Sequence, residues 1–225
     1  MRLRSIKQIV AEKLSRHGFL PLRLSEYFFQ VREVGSEKEK EIFRRIWKQV
    51  WLGEGYASTQ NLPEIEQHYA RFDPYSRDCL LMFRIPPVWW LPIGTFRVIR
   101  DEIGTPVLED FQISVSMELR GRRVEATLFA LLPRWRGLLF PWFFLLRGVY
   151  QVATKKEGAD LILMAADWRL WEKLKKIFSE SLIQLGPSKF YEGSETFPGV
   201  LNVKKAEEEI RKRAPALFVF FTSKY

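Results

Sequence analysis

The chain is predicted to be an α/β protein, with a mixed central sheet of about six to eight strands and helices on both faces. Three observations carry this. The stretch Val124 to Leu131 reads as a strand, broken at Pro133, and runs through the basic turn Arg134-Trp135-Arg136-Gly137 into an aromatic helix from about Pro141. Residues 160–166 then hold the unbroken apolar run LILMAA, as expected of a parallel strand covered on both faces. Amphipathic helical stripes recur before and after this unit, with no Gly/Ser/Pro-rich linker between them, so residues 1–225 are expected to form one domain.

In chain order, residues 1–24 carry six basic side chains against Glu12 alone, with Leu3, Ile6, Val10 and Leu14 at helical spacing. This predicts a basic amphipathic helix, either packed on the core with a solvated face or docked to a membrane or an acidic carrier. Residues 26–34 alternate and read as a strand. Ser36 is an N-cap candidate for a helix whose stripe runs Ile42, Phe43, Ile46, Trp47, Val50, Trp51 and ends at Gly53 or Gly55. Residues 57–76 are polar and partly helical, and Asp73-Pro74 makes a turn.

Strands are expected over 79–84 and 93–100, joined by a proline-rich loop or wide hairpin over 85–92. Arg97 lies in the second of them, as an edge-exposed arginine or a buried, paired one. Residues 101–110 read as a loop and 111–118 as a short strand. On the strand over 124–131, strict alternation puts Glu125, Thr127 and Phe129 on one face and Val124, Ala126, Leu128 and Ala130 on the other. After it come helices over 141–156 and 168–185, a KFYEG segment, a Pro198-Gly199 turn, a charged helix over 204–213 and a last strand over 216–222.

Composition bounds the chemistry. The 36 basic and 27 acidic residues give +9, which favours an anionic partner without choosing among nucleic acid, membrane surface, phosphorylated cofactor and acidic protein. Cys79 is the only cysteine, so no internal disulfide forms and a cytoplasmic, reducing setting is expected, with peripheral membrane contact left open. The first residues hold no apolar run of the secretory kind, and the longest such run, 137–146, is half a bilayer span. Two histidines and one cysteine argue against a metal site, and no permanently bound cofactor is expected. Cys79 with His68 is conceivable as a nucleophile pair, but a lone strand cysteine is usually buried. No nucleophile elbow, Walker loop or GxGxxG is present. The backbone amides of the turn after the central strand, with Arg134, Arg136, Gly137 and Leu138, are the candidate site for a pyrophosphate or a phosphopantetheine phosphate. Trp142, Phe143 and Leu146 are candidates for an acyl pocket, or for ordinary core.

The order of elements, with Arg134 and Gly137 in an Arg-x-x-Gly loop, resembles the GNAT superfamily of acyltransferases. A closer resemblance, over residues 28–203, is to acyl-homoserine-lactone synthases, N-acyl amino acid synthases and exosortase-associated acyltransferases. FRRIWKQVWLGEGY is similar to their first helix, RFDPYSRDCLL to their Asp-x-x-Ser turn, IGTFRVIR to their Gly-x-x-Arg strand, EATLFALLPRWRG to their Glu-x-Ser-Arg-Phe strand and LIQLGPSKFYEGSETFPGV to their closing segment. The resemblance implies a three-layer GNAT-like sandwich and transfer of a medium or long acyl chain, from acyl carrier protein or acyl-CoA as co-substrate, to a small amino-acid-like amine. It implies Glu125 as base and Tyr191 as proton donor to the departing thiolate, with Trp47, Asp73, Arg97, Thr127 and Phe129 around the acceptor. Ala70 and Leu128 stand where the lactone synthases carry charges, which favours the amine-acylating relatives over lactone formation. The competing expectations are an ordinary acetyl-CoA N-acetyltransferase, a basic nucleic-acid binder and a peripheral membrane protein without catalysis.

Overall fold

A computed structural model describes residues 26–85, 89–114, 119–136 and 138–223. The helix expected over 1–24 and the candidate Gly137 lie outside them. Among the described residues one sheet holds β1 (Phe29–Glu33), β2 (Ser76–Ile85), β3 (Trp89–Arg100), β4 (Arg123–Leu131), β5 (Leu161–Asp167), β6 (Leu182–Gln184), β7 (Lys189–Tyr191) and β8 (Ser194–Asn202). Their order is β1-β2-β3-β4-β5-β8-β6, with β7 paired to β8. All pairings are antiparallel except β4 with β5, the parallel pair foreseen from the apolar run.

The sheet is covered on both faces, as β2 shows residue by residue. Cys79 and Leu81 enter one core cluster while Leu80 and Met82 enter another. The second cluster is closed by α1 (Glu37–Glu54) and α2 (Leu62–Ala70). Ser36 caps α1, accepting from the Glu39 amide, while Glu39 accepts from Gly35 N–H. Gly55 ends α1 in the left-handed region, at φ 75°. The first cluster is closed by α4 (Leu139–Gln151), extended by a π-helical turn at Val152–Lys156, and by α5 (Trp168–Phe178), α6 (Val203–Arg213) and α7 (Pro215–Thr222).

Several expectations are corrected. Residues 216–222 are not a strand but helix α7, with Pro215 in its first turn. The Phe-Val-Phe-Phe run suggested a strand, but Phe220 packs on Phe144 and Phe221 on Tyr150, deep in the first cluster. A helix satisfies its own backbone there without a sheet edge. The segment 101–110 contains the short helix α3 (Pro106–Asp110), and 111–114 are not strand. Helix α5 stops at Phe178, and Leu182 belongs to β6. Pro198 and Gly199 lie inside β8 rather than in a turn, where a Cβ on Gly199 would meet the Trp171 ring at 2.4 Å. Residues 89–92, read as loop, extend β3.

The alternation on β4 also breaks. Thr95 pairs with Ala130 and Arg97 with Thr127, so β4 holds one residue more than β3 over this interval. The extra residue is taken up at Leu128, at φ 48°. Val124 and Ala126 join the first cluster, then Leu128 and Ala130 the second, and Phe129 and Leu131 the first again. Phe129 therefore faces away from Glu125 and Thr127.

Candidate active site

The parallel pairing of β4 and β5 is short. It covers Arg123 with Leu161, Val124 with Ile162 and Glu125 with Leu163, and goes no further. Beyond it β5 stays laddered to β8 up to Asp167, while β4 stays laddered to β3. The two strands part, leaving inner edges that do not bond each other. An open cavity, with about 140 Å³ accessible to water, occupies the parting and reaches both sides of the sheet.

Its two sides differ chemically. On the α4–α5 side Leu146, Val149, Leu174 and Phe178 make an apolar wall, with the Tyr150 hydroxyl turned to Glu207. On the α1–α2 side stand Trp51, Tyr56, Tyr69, Thr127, Tyr191 and Glu192. Tyr56 donates to Asp167 Oδ2 at 2.8 Å, while Asp167 Oδ1 caps α5 by accepting from the Arg169 and Leu170 amides. Tyr191 donates to Asp110 Oδ2 at 2.5 Å, and His68 Nε2 lies 3.4 Å from the same oxygen. Thr127 Oγ1 bonds the Tyr69 hydroxyl at 3.3 Å.

Environment separates the carboxyl groups. Burial would raise Asp110, but His68 and Tyr191 outweigh it and hold its carboxyl below the usual range. The Asp110 carboxylate in turn raises His68. Burial pushes Glu192 up to about 8, with Asp110 nearby adding to the rise and Tyr191 working against it. Burial likewise pushes Glu125 up to about 8, opposed by the Val107 amide and the neighbouring Thr105 hydroxyl. Burial and Asp167 raise Tyr56, and burial chiefly raises Tyr69 and Tyr191.

The residues singled out from the sequence fall into groups. Thr127, Phe129, Leu146 and Tyr191 line the cavity, Phe129 from the apolar side. Glu125 is 1% exposed, accepts from Val107 N–H at 2.8 Å and lies behind the lining rather than in it. Arg97 is buried and paired. Its Nε and Nη2 donate to the two Asp78 oxygens at 2.6 and 2.9 Å, and Nη1 reaches Asp73 at 2.8 Å and the Tyr69 carbonyl at 3.1 Å. Arg97, itself held by Asp78 and Asp73, thus anchors the backbone of Tyr69 from behind. Trp47 is buried against Trp51, which is the member of the pair that lines the cavity.

Arg136 donates to the Leu131 carbonyl at 2.7 Å and pairs with Glu54, so it fastens the end of β4; Arg134 and Leu138 are exposed. Trp142 and Phe143 pack on each other at the flank of the first core cluster, outside the lining. Cys79 is fully buried on the core face of β2.

Sequence reasoning missed Tyr56, His68–Asp110, Asp167 and Glu192. Two carried a local signal: Asp167 precedes a helical stripe as an N-cap does, and Glu192-Gly193 has the form of a two-residue hairpin turn. Both turn residues have positive φ, 47° and 73°. Among the described residues no group of three or more His, Cys, Asp or Glu side chains is gathered for a metal ion.

No protein-family model matches the chain, and no curated protein matches it significantly. Solved structures match its fold. FeeM, an N-acyl amino acid synthase from uncultured soil microbes, aligns with a TM-score of 0.59 at 17% identity, over 80% of this chain and 93% of that one. FdhC, a nucleotide-linked sugar GNAT, aligns at 0.54 and 12% over 84% and 95%. A spermidine N-acetyltransferase SpeG variant from Vibrio cholerae aligns at 0.51 and 11% over 80% and 96%. The chain has the GNAT fold.

Proposed function

We propose that this protein is an N-acyltransferase that moves a medium or long acyl chain from a pantetheine thioester to a small amine. The observation that carries this reading is the parting of β4 from β5 after Glu125 and Leu163, with a cavity between them that is apolar on one side and rich in Tyr and Glu on the other. Two strand edges that part beside a cavity offer backbone donors and acceptors in need of partners. An extended arm with amide groups fills such a gap as an added strand would. The thioester at its end then lies in the parting. The acyl chain runs along Leu146, Val149, Leu174 and Phe178, and the amine comes from the side of Tyr69, Tyr191 and Glu192.

The chemistry follows from the charges. An α-amine, with a pKa of about 8, arrives protonated and must shed a proton before its nitrogen attacks the thioester carbonyl. Glu192, raised to about 8 and in the cavity wall, accepts it near neutral pH. Glu125 lies behind Thr127 and Tyr69 and acts through them or through water. Backbone amides on the open edge of β4 hold the oxyanion. The C–S bond then breaks and the amide C–N bond remains. Tyr56, in the cavity wall and fixed to Asp167 at the end of β5, relays the second proton of the attacking nitrogen to the thiolate and so ends the cycle protonated; Tyr191 stays with the acceptor. The surplus of positive charge, with Arg134 exposed beside the turn, suits either an acidic acyl carrier protein or the phosphates of coenzyme A.

The test is single-turnover transfer from acetyl, octanoyl and palmitoyl donors, each on coenzyme A and on carrier protein, to a panel of amines, with products read by mass spectrometry. Amide formation with the longer chains is expected. No product from any donor would overturn the reading.

A further inference from the structure

Large apolar side chains left in solvent are ordinary when scattered. Here they are not scattered. The strand directions put the end of β4, the end of β5, the end of β2 and the starts of β1, β3 and β8 at one end of the sheet, where β4 and β5 part. Of the eleven exposed large hydrophobics among the described residues, seven sit at that end. On one side of the parting Tyr27 and Phe28 precede β1, Ile85 ends β2 and Trp89, 72% exposed, begins β3. Leu138 precedes α4. On the other side Trp168 begins α5 and Phe190, 79% exposed, lies in β7.

Exposed cations outnumber unpaired exposed anions at this end. Arg134, Arg169 and Lys189 are exposed there. Of the neighbouring carboxylates, Glu26 and Glu54 are neutralised by Arg147 and Arg136, while Asp167, bonded to Tyr56, and Glu195, across from Phe190, keep their charge. Aromatic side chains interspersed with arginine and lysine, flanking a cavity mouth on both sides, match the boundary between lipid headgroups and acyl chains, where Trp and Tyr seat and cations meet anionic headgroups. A protein partner would also accept exposed aromatics and arginine; the bilayer is favoured because the aromatics stand on both sides of the cavity mouth rather than on one continuous face. Among the described residues no helix is long and apolar enough to cross a membrane, so contact is with the surface.

We propose that this end of the sheet seats the protein on an anionic lipid bilayer, with the cavity mouth facing the membrane. The consequence for chemistry, that a lipid-like acylated product leaves directly into the bilayer, rests on the acyl-transfer reading; the docking itself does not.

The experiment is co-sedimentation of the full chain, without substrate, with vesicles of phosphatidylcholine alone and with vesicles that also contain phosphatidylglycerol. Wild type is expected to sediment with the phosphatidylglycerol vesicles at low salt, and less as salt rises. The double variant Trp89→Ser, Phe190→Ser, with its circular dichroism unchanged, is expected to partition about tenfold less. If that variant does not fold, Arg134→Gln with Arg169→Gln should weaken binding to the anionic vesicles in its place. Wild type that stays in solution with both vesicle types overturns the proposal. So does binding unaffected by either double variant, or a dimer in sedimentation velocity that the aromatic substitutions dissolve, which would assign the patch to a second copy of the chain. Because no donor or acceptor is present, this result stands apart from the outcome of the transfer assay.

Discussion

Gly193 lies against Gly55: a Cβ on Gly193 would sit 1.9 Å from the Gly55 carbonyl oxygen. The contact joins the β7–β8 turn to the C-terminal end of α1, and it fixes both Glu192 and Tyr56, one residue away on either side. Gly193 also has φ 73°, where an L side chain is strained. Gly193→Ala therefore combines a strained backbone with a clash against another backbone that cannot rotate aside. A loss of about 2–4 kcal/mol is expected, read from the urea unfolding midpoint. Acyl transfer should fall further than stability explains, because both groups at the cavity move.

Glu192 and Glu125 should separate kinetically. Glu192→Gln removes the proton acceptor in the cavity wall and should lower transfer by about 10²-fold or more. With an acceptor amine whose own pKa is about 10, so that its ionisation lies elsewhere, the wild-type rate should climb with pH through an apparent pKa near 8, as Glu192 ionises, and the Gln variant should lose that limb. Glu125→Gln should cost less and keep the limb. A larger loss for Glu125→Gln than for Glu192→Gln, with both proteins folded, would return the role of base to Glu125.

Glu125 should also make stability depend on pH. Its carboxyl sits at about 8 in the folded chain against 4.5 as its ordinary value. Between these values the folded state binds the proton that the unfolded state has released, so stability falls as pH rises. The contribution is full below about 4.5, declines across the window and is lost above about 8. Glu192 adds a decline over the same window, so the two titrate as a set. Urea unfolding of Glu125→Gln from pH 5 to 8 should be flatter than wild type, with the variant relatively more stable at the upper end. Parallel curves would exclude this.

What was legible in the sequence follows the range of the forces involved. The parallel pair, the capped helix α1 and the turn at Pro133 are written in local pattern: the apolar run, Ser36 with Glu39, a proline after a strand. The β4 bulge was not, because Leu128 is neither Gly nor Asn and nothing in its neighbours demands φ 48°; pairing with β3 imposes it. One unforeseen residue there turned Phe129 to the other face. Helix α7 misled because phenylalanine and valine favour strands intrinsically, while burial among Phe144, Tyr150 and Phe178 decided otherwise. Arg97 was legible as a buried charge or an edge residue; choosing required Asp78 directly across on β2. Glu192 reaches the cavity only because a hairpin closes on Gly55, 138 positions before Gly193 in the chain.

That Arg97–Asp78 pair should be strongly stabilising in the sense that breaking it is costly. Arg97 is 6% exposed and holds Asp78 through two bonds. Arg97→Met leaves Asp78 and Asp73 without their cation and frees the Tyr69 carbonyl, and should cost about 3–5 kcal/mol in urea unfolding. Arg97→Lys keeps a charge but cannot bridge both oxygens, and should fall between the two. Wild-type stability in Arg97→Met would show that the network carries no net energy.

The apolar wall makes the sharpest statement about substrate. Leu146 lines the cavity from α4, facing the side reached by Val149, Leu174 and Phe178. Beyond them a second, smaller cavity shares Tyr150, Phe178 and Leu201 with the first and runs beneath α6 and α7. An acyl chain that passes Leu146 gains about 0.8 kcal/mol for each CH₂ it buries. Leu146→Trp should fill the passage while leaving the parting of β4 and β5 untouched. If the added ring displaces about three CH₂ groups, the loss is about 2.4 kcal/mol, or roughly 50-fold in kcat/KM for a palmitoyl donor. An octanoyl donor should lose less, and an acetyl donor, which never reaches the wall, should keep its wild-type rate. A uniform loss across the three donors would mean that the tryptophan disturbs the fold, and circular dichroism would register it. Equal rates for all three donors in wild type, unchanged in Leu146→Trp, would mean that no acyl chain uses this wall.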